Sequence, residues 1–156
     1  MSTPTSPPAR RRLGVGRVLI VVYAILAIGA TSRAVVQFAV DFPSDPASRL
    51  PITLSAVSGA IYIVATIALL LPGRTWYRIA WVTISFELAG VLIVGTLSLV
   101  NPAVFAGGEN VAHGTVWSSY GIGYVFIPVV LPILGLIWLR SRRAEASVAA
   151  ATAPGA

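Results

Sequence analysis

An all-α bundle of four transmembrane helices is predicted by three observations. The chain is 56% hydrophobic, with a mean hydropathy of +0.86. Only 10% of its residues are charged, against about 25% in an ordinary soluble domain. Its apolar residues also fall into four runs, at about 16–40, 50–71, 76–100 and 117–139. Each run is near the roughly 20 residues needed to cross a hydrocarbon core of about 30 Å. A soluble domain of 156 residues could not hide this much apolar surface. Lipid removes that penalty and requires every backbone polar group to be satisfied within the span, which selects helices.

The first run, "GRVLIVVYAILAIGATSRAVVQFAV", follows the basic cluster Arg10, Arg11 and Arg12. A basic region before an apolar core is also the layout of a signal peptide. The apolar pattern continues past Arg33 through "AVVQFAV", which favours a retained helix. In the second run Pro51 suits a first helical turn, where its missing N–H costs nothing. The short "LPGR" at 71–74 ends that helix, so the second and third spans are predicted to form an antiparallel hairpin. The connection "NPAVFAGGENVAHGTV" at 101–116 reads as a surface loop, although its length permits a re-entrant one. In the fourth run, "YVFIPVVLPILG" places Pro128 and Pro132 on one face, which predicts a kink. The Pro/Ala/Ser/Thr-rich ends predict disordered tails at 1–12 and 144–156, flanking a membrane domain at 13–143.

All eleven basic residues are arginine. Nine of them fall on one side of the predicted spans, and Arg49 stands alone in the outer loops beside Asp41, Asp45 and Glu109. This asymmetry predicts both termini in the cytoplasm of a multi-pass protein of a bacterial plasma membrane. It also accounts for the net charge of +6 without nucleic acid. Trp76, Trp81 and Trp138 are expected at the inner interface and Trp117 at the outer one.

The polar residues inside the spans are the candidate site. Glu87 lies near the membrane midplane in "ISFELAG". A carboxylate there should face the bundle interior. Arg33 is the available counter-charge, although helical rise places it about 8 Å higher. Gln37 is one turn beyond Arg33, Thr83 one turn below Glu87, and Ser55 and Ser58 could join from the second span. Tyr124 shares a face with Tyr120 in the fourth. These residues predict an intramembrane polar seam or ligand site. It could equally be an architectural pair that only fixes helix packing. Ala56, Gly59 and Ala60, and Ala89, Gly90 and Gly95, read as small-residue packing faces.

With no cysteine and one histidine, His113, the chain offers no thiol chemistry and no metal site. No motif of a hydrolase or metalloprotease is present, so no enzyme and no cofactor are expected. At "SRAVVQFAVDF" (32–42), "ISFELAGVLIVGTLSLV" (84–100) and "TVWSSYGIGYVFIPVVLPILGLIWLR" (115–140), the chain resembles the small four-helix integral membrane proteins of actinobacteria without an assigned function. That resemblance implies a fold type and carries no catalytic residue. The small multidrug-resistance transporters are similar in size and layout only. Their membrane-embedded glutamate lies in the first helix, whereas here it is in the third. The expected role is that of an accessory or structural component, with the bilayer, a membrane-protein partner or a second copy as its contacts. The alternative is an oligomeric small-solute or cation transporter using Glu87.

Overall fold

A computed structural model describes the backbone over residues 11–40, 49–105 and 114–152, and the side chains over 14–39, 49–104 and 114–143. Helix α1 spans Arg11–Val40, α2 Arg49–Leu70 and α3 Arg74–Val100. A short helix α4, Pro102–Phe105, precedes a 3-10 segment at Ser118–Tyr124 and helix α5, Ile127–Thr152. No strand occurs among the described residues. Helices α1, α2 and α3 are each long and apolar enough to cross a membrane. The 3-10 segment and α5 make a fourth span if the bent pair is counted as one. These are the elements of a multi-pass membrane protein.

Glycine 73 makes the α2–α3 hairpin possible. Its φ of 122° is open to glycine and strained for other residues. Its carbonyl accepts the Tyr77 amide at 3.0 Å to begin α3. Helix α1 packs most broadly on α2, while α3 touches α2, α5 and the 3-10 segment. Helix α1 meets α5 along a narrower seam. The helices therefore form a ring in which α1 and α3 stand across from each other.

The buried stripe on α3 is Ala80, Ile84, Glu87, Val91, Val94 and Ser98. Its alternating spacing of three and four keeps one face inward. Helix α2 turns in Ser55, Ser58, Tyr62, Ala65 and Leu69 by the same spacing. Gly59 is buried there, with its backbone close to Thr31 of α1. The expected partners of Gly59 in a packing face, Ala56 and Ala60, point outward instead. Ala89 is also exposed, whereas Gly90 and Gly95 receive aromatic rings.

Three boundaries differ from those read in the sequence. Arg11 and Arg12 belong to α1, and the remainder of the predicted N-terminal tail lies outside the described residues. Helix α5 continues through 144–152, where a tail was expected. The alanines of "AEASVAAAT" are good helix formers that prolong a helix already nucleated. The fourth span is not one kinked helix either. It bends by 97° between the 3-10 segment and α5. The break falls at Val125 and Phe126, both with positive φ. Pro128 thus sits in the first turn of α5, where no ladder bond is lost. Pro132 alone lies in the interior of that helix.

Candidate functional site

Glu87 lies midway along α3 and is fully buried. The inward stripe of α3 aims its carboxylate at the bundle axis, and the residue opposite is Tyr23 of α1. The Tyr23 hydroxyl donates to Glu87 Oε2 at 2.8 Å. A phenol is long enough to span the diagonal of the ring, which the α1 and α3 backbones do not bridge closely. Tyr23 is itself fully buried, and its ring packs on that of Tyr62 with centroids 6.2 Å apart. Tyr62 of α2 brings a second hydroxyl beside the carboxylate. Trp117 stands next to Tyr62 in turn.

The fourth side of the site comes from the 114–126 segment and α5. Trp117 is 2% exposed, and its ring lies over Gly90, one turn from Glu87. A Cβ on Gly90 would come within 2.8 Å of that ring. Gly135 of α5 leaves room above Ile84 and the Tyr23 hydroxyl. The cluster thus draws one group from each of α1, α2 and α3 and closes with an indole from the bent segment. Glu87 Oε1, the Tyr62 hydroxyl and Trp117 Nε1 are buried without closing hydrogen bonds.

Local hydrogen bonds pin the segment that carries Trp117. Thr115 Oγ1 accepts the amides of Trp117 and Ser118 at 3.1 and 3.0 Å. Ser118 Oγ accepts the Thr115 amide at 2.9 Å, a reciprocal arrangement like a capping box. The Ser119 amide then donates to Ser98 of α3 at 2.6 Å. Tyr120 and Thr96 share a hydrogen bond of 2.8 Å between their hydroxyls. The segment folds back into the bundle, and Trp117 belongs to the core rather than to the outer aromatic belt. Residues 106–113 of the expected surface loop, with His113, lie outside the described residues.

The predicted Arg33–Glu87 pair does not form. Tyr23 marks the level of Glu87, and Arg33 lies ten residues further along the same helix, about 15 Å away. Arg33 is half-buried and engaged elsewhere. Gln37 is buried one turn beyond it, also engaged, and so stands apart from the Glu87 cluster. Ser58 donates to the Ser55 carbonyl at 2.8 Å. Thr83 donates to the carbonyl of Ile79 at 2.8 Å. Both satisfy their own helices and leave the seam uncompleted. Tyr124 is half-buried against the core near Tyr62. Of the predicted residues, only Glu87 stands at the centre. Tyr23, Tyr62 and Trp117 were missed, although a tyrosine midway along an apolar span is the kind of signal that should have marked the first two.

Chemically, the arrangement offers an enclosed acid held by a phenol, with no cation against it among the described residues. A buried polar pair fixes which faces of two helices meet, because separating them strands both groups in hydrocarbon. Comparison with family models, characterised proteins and solved structures finds no match to this chain.

Proposed function

We propose that the protein is a non-enzymatic component of the membrane that works by associating with a larger membrane complex or with lipid. The observation that carries this reading is the closure of the Glu87 cluster. The one intramembrane acid of the described spans is fully buried, bonded to Tyr23 and roofed by Trp117. That is the chemistry of a clamp on helix packing. The outward faces, rich in Val, Ile, Leu and Phe, supply the surface for association. The decisive test is purification in mild detergent, followed by identification of what remains bound and by flux measurements in liposomes. A stoichiometric membrane-protein or lipid partner is expected. Flux that disappears in Glu87→Gln would overturn the reading in favour of a transporter.

The proposal includes both termini in the cytoplasm of a bacterial plasma membrane, within the small actinobacterial type that the sequence resembles. Arg74, Arg78, Arg142 and Arg143 gathering around one cavity supports a shared cytoplasmic end. Reporter fusions after Arg74 and Arg143 are expected to give cytoplasmic signal, and a fusion at Gly108 an external one. A cytoplasmic Gly108 would reject this orientation.

A further inference from the structure

A cavity of about 720 Å³ opens at the arginine-rich end, between the α2–α3 turn and the last membrane turns of α5. Arg74 and Arg78 line it from successive turns of α3, and Arg142 and Arg143 line it from α5. All four are exposed, and no lining residue is acidic. Glu87, in the core, is the only carboxylate among the described side chains.

The walls are held in place. The Tyr77 hydroxyl donates to the Leu139 carbonyl at 3.2 Å and accepts from Trp81 Nε1 at 2.7 Å, which ties α3 to α5 beneath the cavity. The Arg142 guanidinium lies 5.0 Å from the centre of the Trp138 ring, a cation–π contact that orients it. Trp138 is backed by Gly16 of α1, whose missing side chain admits the indole. The first turn of α3 has no side-chain cap. Its free amides and helix dipole favour an anion at the same end.

We propose that this cavity binds the headgroup of an anionic phospholipid, with one arginine pair on each helix taking one phosphate of a headgroup that carries two. The apolar floor argues for a lipid over a soluble anion. Leu69, Leu71 and Leu139 line the cavity with the charges, and Leu71 and the neighbouring Leu70 are exposed, which provides a path for acyl chains. Guanidinium forks match phosphate oxygens bidentately. Basic pockets between spans at the cytoplasmic face suit such headgroups. Topology alone requires arginines on one side of the membrane; it does not require two pairs to converge on one cavity. The inference deepens the lipid arm of the proposed function and rests on that reading for its physiological role.

The test uses the full chain purified in mild detergent, with lipid binding measured by native mass spectrometry. The probes are diphosphatidylglycerol, phosphatidylglycerol, phosphatidylcholine and inorganic phosphate. The order of affinity is expected to fall from the first to the third. Arg74→Gln/Arg78→Gln and Arg142→Gln/Arg143→Gln are each expected to weaken the diphosphate lipid by roughly thirtyfold. Arg17→Gln, basic but outside the cavity lining, is expected to change it by less than about twofold. Should a double variant misfold, the matching Arg→Lys pair keeps the charge and removes the fork, and weaker binding is again expected. Equal binding of diphosphatidylglycerol and phosphatidylcholine would overturn the proposal, as would an Arg17 loss equal to that of either pair. Displacement of the lipid by equimolar inorganic phosphate would assign the cavity to a soluble anion instead. If lipid binding fails while a protein partner co-purifies, this site falls and the functional reading stands. If the lipid binds but Glu87-dependent flux appears, the reverse holds.

Discussion

Glu87→Leu is expected to cost the bundle about 1–3 kcal/mol, and adding Tyr23→Phe to it is expected to recover most of the loss. Leucine fills much of the glutamate volume, so the cost of the single change is not chiefly a cavity. It is the Tyr23 hydroxyl, which donates to Glu87 Oε2 at 2.8 Å and would be left buried without an acceptor. Removing both polar groups leaves two apolar side chains facing across the same diagonal. Replacing both partners by apolar groups of similar shape is nearly neutral. Glu87→Gln keeps an acceptor oxygen in place and should cost less than Glu87→Leu. Unfolding in mixed micelles, followed for the four members of the cycle, gives the coupling directly. Interhelical hydrogen bonds in membranes average about 0.6 kcal/mol and reach about 1.7. A coupling at or above the top of that range is expected for Tyr23 and Glu87, because each single change strands a buried polar group and the double change removes both. Strict additivity would mean that their hydrogen bond contributes nothing to the fold. The same cycle on Arg33 and Glu87 is expected to be additive to within about 0.5 kcal/mol, because about 15 Å of helix separates their levels.

That Tyr23 and not Arg33 meets Glu87 marks the limit of what is legible in the sequence. Apolar runs and arginine placement were enough for α1, α2, α3 and the hairpin at Gly73, because lipid imposes length and composition directly. They did not reveal which face of each helix turns inward. In a soluble bundle the apolar stripe marks the core. In these spans both faces are apolar, and only scattered polar residues carry the signal. Glu87, Ser55, Ser58 and Tyr62 all proved to be inward. Charge alone selects Arg33 as the partner of Glu87, but charge is not what meets the acid here. A neutral phenol on the diagonal helix meets the acid, and its level is set by helix register that single-chain counting fixes only to several ångström. The break before α5 was hidden for a related reason. "YVFIPVV" has the composition of a span, and its prolines drew attention to 128 and 132, while the reversal occurs at Val125 and Phe126. No local residue preference announces positive φ at a valine. Tertiary contacts of Trp117, Tyr120 and Gly121 hold the segment there: the first two against Gly90 and Gly95, and Gly121 against Pro128.

Those contacts make Trp117→Ala the most damaging single change expected, at about 3–5 kcal/mol. The hydrophobic transfer part of that figure is reduced in lipid, but the packing part is not. Close contact is what holds helices together where no water drives them to associate. Trp117 fills the interior beside Glu87 and anchors the only described connection into α5, so its loss both opens a cavity and frees the segment from α3. The complementary overpacking change is Gly90→Ala. Its Cβ would lie within 2.8 Å of the indole, backed by a helix that cannot recede without disturbing Glu87 three residues away. A cost of about 1–3 kcal/mol is expected. Trp117→Phe, with a smaller ring, should offset part of that cost in the double variant, so the two changes should not add. The absence of cysteine gives a clean reporter for the segment itself. Val116→Cys places a thiol at a fully buried position beside Trp117. In otherwise unchanged protein it should resist a water-soluble maleimide. In Trp117→Ala it should label at least about tenfold faster, because the local opening no longer opposes the packing of the indole. Equal labelling in the two backgrounds, together with strictly additive Gly90 and Trp117 changes, would show that the segment holds its place without the tryptophan. The closure of the site around Glu87 would then rest on the hydrogen bonds of Thr115, Ser118 and Ser98 alone.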